Sequence, residues 1–114
     1  MDLQNRILKI ETLFTGTLGS CNVYTREIIK KALDFKASSI VISHNHSCGC
    51  KPSKEDDNVT RKVIAACLTV DLNFLDHIII GDNGFYSYLE KNHDLIEFTK
   101  TQIQSFFKYG TGLD

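Results

Sequence analysis

Apolar and polar positions along the chain follow two different periods, and the places where the period changes mark the elements. Arg6 to Phe14 is rich in apolar and β-forming residues and predicts a strand, with Gly16 punctuating its end. From Thr25, a residue suited to capping, the spacing turns helical, with Ile28, Ile29, Ala32, Leu33 and Phe35 on an inward face. Ser39-Ile40-Val41-Ile42-Ser43 is a short β-branched run, the pattern of a buried strand, and it enters a polar stretch from His44 to Pro52 that predicts a loop. Ser53 opens a second helix, with Val59, Val63, Ile64, Cys67 and Leu68 at helical spacing. Phe74 to Ile80 reads as a further strand ended by Gly81. Asp82-Asn83-Gly84 supplies turn chemistry, and Phe85 to Leu89 reads as the return strand of a hairpin. From Asp94 to Tyr109 the pattern is helical again, with Leu95, Ile96, Ile103, Phe106 and Phe107 on one face. Strands alternating with helices predict an α/β or α+β layer around one sheet.

Composition narrows the class. A chain of 114 residues is enough for one compact domain, and 42% hydrophobic with 24% charged residues is an ordinary globular mix. Thirteen Lys and Arg against fourteen Asp and Glu give a net charge of −1, which argues against a dedicated nucleic-acid binder. Runs such as Ile40-Val41-Ile42 and Ile78-Ile79-Ile80 are far too short to span a bilayer, and Met1 to Arg6 lacks a signal-peptide pattern. The expectation is a cytoplasmic protein whose Cys21, Cys48, Cys50 and Cys67 are free thiols. Cys67, in an apolar helical stretch, is expected to be an inert part of the core.

The residues that bear chemistry cluster between His44 and Asp57. His44 and His46, at i and i+2 in an extended segment, project to the same side. A carboxylate from Asp56, in the first turn of the next helix, can join them. Two imidazoles and one carboxylate leave a tetrahedral position open, the arrangement of a catalytic rather than a structural zinc. Other readings stay open on spacing alone. The histidines can be a surface pair, and Ser53-x-x-Asp56 is also a helix N-cap, a role compatible with ligation. Cys48-Gly49-Cys50 beside the histidines suggests a rival closed site of two cysteines and two histidines, although this spacing is tighter than usual. It also lacks the thioredoxin-like spacing of a redox pair. His77, inside an apolar strand, is expected to have a structural role or to support a ligand rather than be one. His93, in a polar connection, is expected to be exposed.

His44-Asn45-His46, then Gly49, Pro52-Ser53, Asp56 and Thr60, resemble the signature of the RadC family. So do Leu75-Asp76-His77-Ile78-Ile79-Ile80-Gly81 with Tyr86-Ser87, and, upstream, Glu11 to Leu18 and Arg26-Glu27 leading to Ala32-Leu33. The resemblance covers roughly Asp2 to Leu95. RadC proteins belong to the JAMM (MPN-plus, JAB) group, whose fold is similar to that of cytidine deaminases and whose well-studied members are zinc-dependent peptidases that remove ubiquitin-like modifiers. The resemblance implies that His44, His46 and Asp56 hold one Zn2+ and that Ser53 hydrogen-bonds the water or the tetrahedral intermediate. It implies metal-assisted amide hydrolysis of a peptide or protein substrate, with a separate glutamate handling the proton. A deaminase is not implied, because its His-x-Glu and Pro-Cys-x-x-Cys signature is missing.

The chain departs from the family pattern in two places. The family run His-Pro-Ser-Gly stands here as His46-Ser47-Cys48-Gly49, and the loop to Ser53 is one residue short. Counting forward from His46 therefore selects Asp57 as the third ligand, whereas counting from Ser53 selects Asp56. Cys48 or Cys50 can also approach the metal and close its open position. At the front, the family glutamate precedes the segment Asp2 to Arg6, and no residue of this chain matches it. The expected fold is thus a single mixed sheet flanked by helices, a JAMM fold lacking its first helix and strand, over residues 1–95, with a C-terminal helical extension at 96–114. That helix is expected to cover an open sheet edge or to pair with a second copy. Two functions follow. One is a zinc-dependent amide hydrolase whose turnover suffers without the glutamate. The alternative is a non-catalytic metal-binding interaction module in DNA repair or DNA metabolism, which the family name suggests.

Overall fold

A computed structural model of the chain describes residues 21–46 and 49–107. Its elements are α1 (Cys21–Asp34), β1 (Ser39–Asn45), α2 (Lys54–Thr69), β2 (Asn73–Gly81), β3 (Gly84–Ser87), α3 (Tyr88–Lys91) and α4 (His93–Ser105). The strands form one sheet in the order β1-β2-β3. β1 and β2 are parallel, joined through α2, whereas β2 and β3 form an antiparallel hairpin. This is the mixed sheet with helices that the sequence pattern predicts, an α+β architecture.

α2 is the centre of the molecule. It packs against α1, α4 and β2, and its Val59, Val63, Ile64 and Cys67 are fully or almost fully buried. Ile42 from β1, Phe74 and Ile79 from β2, and Leu95 and Ile96 from α4 complete the core with Tyr88. Each such side chain removed from water contributes roughly 1.5–3 kcal/mol, which is why the helix with the most buried positions organises the rest.

β2 contains an irregularity that matters for the site. Ile40 pairs with Phe74, but the next residue, Val41, pairs with Asp76, so Leu75 is an extra residue on β2. Residues an odd number apart in a regular strand face opposite sides, yet Phe74 and His77 are both buried. The bulge reconciles them, bringing Phe74 into the core and His77 onto the same face further along.

Several boundaries differ from the pattern reading, for local reasons. α1 begins at Cys21, so Thr25 lies one turn inside it and does not cap it. Leu33 is 51% exposed, and Phe35 beyond the helix end is exposed too, so the inward face is narrower than predicted. The chain turns away at Lys36, whose φ of 53° is left-handed, and Ala37 N–H closes the end by donating to the Ala32 carbonyl at 3.0 Å. β1 continues through His44 to Asn45, and His46, directly after the strand, donates its N–H to the Ile80 carbonyl at 2.8 Å, so His44 lies in the sheet and His46 is hydrogen-bonded to β2. β3 stops at Ser87 because its hydroxyl accepts the Glu90 N–H at 3.2 Å and caps α3, where a longer strand is predicted. Phe106 and Phe107 are exposed, as is Phe98, and do not form an inward face. α4 runs through residues 95 and 96 and buries Leu95, Ile96 and Thr99. The strand expected over Arg6–Phe14 and the helix end at Tyr109 lie outside the described residues. Among the described residues no helix is long and apolar enough to cross a membrane.

Candidate metal centre

The parallel pairing of β1 and β2 and the start of α2 meet at one corner of the sheet. Extended backbone sends His44 and His46 to the same side, and their rings stand with centroids 4.9 Å apart. Ser53, the N-cap of α2, places Asp56 one turn into the helix, facing them. His44 Nε2 lies 3.0 Å from Asp56 Oδ1, and His46 Nε2 lies 3.1 Å from Asp56 Oδ2.

Asp56 is held by a capping box. Its Oδ2 accepts the Ser53 N–H at 2.7 Å and the Ser53 hydroxyl at 3.0 Å, and its own N–H donates to Ser53 Oγ at 3.2 Å. The N-cap and ligand readings of this segment are thus compatible in one side chain. Burial alone would raise the Asp56 carboxyl, but the Ser53 hydrogen bonds and the adjacent imidazoles bring it below the ordinary carboxylate range. Burial also lowers His44, outweighing the attraction of Asp56.

A second layer lies beneath His44. His77 is fully buried, with Nε2 at 3.0 Å from His44 Nδ1 and Nδ1 at 2.6 Å from Thr60 Oγ1. Thr60 Oγ1 in turn donates to the Asp56 carbonyl oxygen at 2.8 Å. The Tyr88 ring stacks on His77 with centroids 5.0 Å apart and planes 10° from parallel, and its hydroxyl donates to Asp57 Oδ1 at 2.6 Å. Burial pushes the His77 imidazole down to about 4, with His44 adding to the shift. Asp76 fastens the same strand to α3, accepting the His77 N–H at 2.7 Å and the Leu89 N–H at 2.9 Å.

The donors suit a divalent ion of the zinc type. His44 Nε2 is buried and has no hydrogen-bond partner, although it stands 3.0 Å from a carboxylate oxygen. A lone pair facing an anionic oxygen is repulsive unless a proton or a metal cation lies between them. Ligand atoms ~2.0–2.1 Å from a tetrahedral ion stand about 3.3 Å apart, near the 3.0 Å from His44 Nε2 to Asp56 Oδ1, while His46 Nε2 faces the other oxygen, Oδ2, at 3.1 Å. His44, His46 and Asp56 can therefore form a metal site, each offering one ligand atom within 4.8 Å of the others.

Among the described residues, no other candidate belongs to this group of three. Asp57 is turned to Tyr88 and is not part of the group. Ser53 is exposed at the rim, with its hydroxyl engaged by Asp56. Cys50 is a free, half-buried thiol packed against the core and does not join the histidines, while Cys48 lies outside the described residues. Cys67 is buried, and burial pushes its thiol up to about 12. His93 is exposed at the start of α4, 3.5 Å from Glu97. Thr60 and Tyr88 were not marked by their chemistry. Thr60 is signalled by its place in the family-like signature, four residues after Asp56 on the same helix face, whereas Tyr88 has no such signal.

The fold and this corner define an α+β domain carrying two histidines and a carboxylate that can hold a metal. Residues 1–94 match the RadC-like JAB domain, and the chain belongs to that family. It is 44% identical over 92 residues to a UPF0758 protein of Actinobacillus pleuropneumoniae (strain L20), a match covering 80% of this chain and 42% of the relative. A UPF0758 protein of Haemophilus ducreyi is also 44% identical over 92 residues, covering 80% of this chain and 41% of the relative. One from Vibrio parahaemolyticus is 42% identical, again covering 80% of this chain and 41% of the relative. The chain thus spans less than half the length of these relatives.

Proposed function

We propose that this domain is a zinc-dependent amide hydrolase of the JAMM type, acting on a peptide or protein substrate in the cytoplasm. The observation that carries the reading is the buried, unpartnered Nε2 of His44 held 3.0 Å from Asp56 Oδ1. His44, His46 and Asp56 would hold one zinc ion. When bound, the ion supplies a Lewis acid for a carbonyl and a water whose pKa is lowered to about 7. The chain's own groups do the rest. His77 and the capping box orient the donors, and His46 is the more exposed of the two histidines. Ser53 Oγ stands at the rim, where release from Asp56 would free its proton for a developing oxyanion.

Zinc titration followed by desalting tests the metal, with one ion per chain expected and loss in His44→Ala and Asp56→Ala. Zinc retained in both variants overturns the site. Incubation of the zinc-loaded chain with a peptide mixture and isopeptide-linked substrates, read by mass spectrometry, tests the hydrolysis. A chain that keeps its zinc and cleaves nothing supports the non-catalytic module instead.

A further inference from the structure

The hydroxyl of Thr60 has one proton, and where that proton goes decides the state of two imidazoles. Thr60 Oγ1 lies 2.8 Å from the Asp56 carbonyl oxygen and 2.6 Å from His77 Nδ1. A carbonyl oxygen only accepts, so the bond to Asp56 takes the hydroxyl proton. His77 Nδ1 is then the donor to Thr60 Oγ1, and a neutral imidazole protonated at Nδ1 presents a lone pair at Nε2. That lone pair is 3.0 Å from His44 Nδ1, so His44 supplies the proton of this contact from Nδ1. His44 Nε2 is left bare, and it is the buried nitrogen that lacks a hydrogen-bond partner.

We propose that Thr60 and His77 are positioning residues that lock His44 in its Nδ1–H tautomer, holding Nε2 as a ligating lone pair before any metal arrives. The role assigned to that lone pair rests on the zinc reading above; the proton order itself does not. The opposite order is chemically complete, with Thr60 donating to His77 Nδ1, His77 Nε2–H to His44, and His44 Nε2–H to Asp56. It leaves the 2.8 Å approach of Thr60 Oγ1 to the Asp56 carbonyl oxygen as two acceptors with no proton between them. Tyr88, stacked on His77 and tethered to Asp57, keeps the imidazole plane in line with both partners. Metal uptake then needs no shift of the His44 proton from Nε2 to Nδ1. Ligand histidines whose second nitrogen is fixed in this way are more basic and better oriented.

Long-range proton–nitrogen correlation spectra of the labelled chain read the tautomers directly, metal-free and with Zn2+ added. The expected result is a proton on Nδ1 of both His44 and His77 in either state. Thr60→Val removes the hydroxyl at nearly constant volume. It should mix the His77 tautomers, populate His44 Nε2–H and weaken Zn2+ binding about 10–100-fold. Thr60→Ser should restore both readouts, and if Thr60→Val does not fold, wild type and Thr60→Ser carry the test. A metal-free wild type with the His44 proton on Nε2, or a folded Thr60→Val with unchanged tautomers, overturns the proposal. A wild type that shows the Nδ1–H tautomers but takes up no Zn2+ supports the relay and overturns the zinc reading alone.

Discussion

Asp56 shares its carboxylate between Ser53 and His44: Oδ2 accepts the backbone N–H and hydroxyl of Ser53, while Oδ1 faces the unpartnered Nε2 of His44 at 3.0 Å. The two tasks should separate by substitution. In Asp56→Asn the amide oxygen can keep the cap and the amide N–H can satisfy His44 Nε2. Urea unfolding should then show a loss within about 1 kcal/mol, while Zn2+ affinity falls by more than about 100-fold. In Ser53→Ala the cap is lost, costing about 1 kcal/mol, with a smaller loss of affinity. An Asp56→Asn protein that binds Zn2+ as tightly as wild type would show that the carboxylate is no ligand.

The metal-free protein should lose stability toward acid. His77 is lowered from 6.5 to about 4, so between these values the unfolded chain binds the proton that the folded one refuses. His44 and Asp56 are lowered as well and act in the same direction, with Asp56 contributing below the ordinary carboxylate value. Urea midpoints should be flat near neutral pH and fall steadily as pH drops from 6.5 toward 4. A flat profile across that window would contradict the burial of a neutral His77.

At alkaline pH the sign reverses through the core thiol. Cys67 is raised from 9.0 to about 12, so above pH 9 the unfolded chain gives up a proton that the folded one keeps. Stability should fall from pH 9 upward, by as much as about 4 kcal/mol near pH 12. Tyr88, also raised, adds to the decline above pH 10. Cys67→Ala should start less stable, through the lost volume, but show a shallower alkaline slope in the same denaturation series. An unchanged slope would assign the decline elsewhere.

Gly81 is required by a close approach rather than by its own backbone angles. A Cβ there would lie 2.2 Å from the Gly49 carbonyl oxygen and 2.7 Å from the Cys50 nitrogen. Gly81→Ala must push this backbone off the hairpin, breaking the 2.9 Å bond from Gly49 N–H to Asp82 Oδ1. A cost of about 1–3 kcal/mol is expected. His46 is tied to Ile80, next to Gly81, so Zn2+ binding should weaken along with stability. Wild-type values for both would show that the loop is not seated there.

Lys36 offers a change in the other direction. It is exposed and left-handed, with φ 53°, a conformation that costs a side-chain-bearing residue about 1–2 kcal/mol. Lys36→Gly should raise stability by about 0.5–1 kcal/mol, part of the gain being returned through the freedom of glycine in the unfolded chain. A drop in the urea midpoint would show that the lysine side chain is doing more than ending α1.

The elements that could be read from the sequence were those with a dense apolar period, above all α2 and β2, and the site pieces that depend on local geometry. Two residues apart on extended backbone suffices to put His44 and His46 on one side, and Ser53 with Asp56 suffices for a cap. The shortened loop left Asp56 and Asp57 equivalent by counting. The helix start separates them, because rotation by one residue turns Asp57 toward Tyr88. The place of His77 under His44 was not legible, since it depends on the register of two strands far apart in the chain. Ser87 ends β3 early for the opposite reason: a local cap overrides a β-forming pattern that continues past it.

The extra residue Leu75 acts as a phase shifter. Phe74 and His77 sit on opposite sides of it, one serving the core and the other the histidine pair, and neither could do so in an uninterrupted two-residue rhythm. Deleting Leu75 would therefore not subtract a leucine; it would rotate one half of the strand by half a turn relative to the other. Either Phe74 would be expelled to water or His77 would be withdrawn from Thr60 and His44. Length at this position is as much a part of the site as the side chains that compose it, and a single-codon deletion should cost more than any point substitution of Leu75 itself.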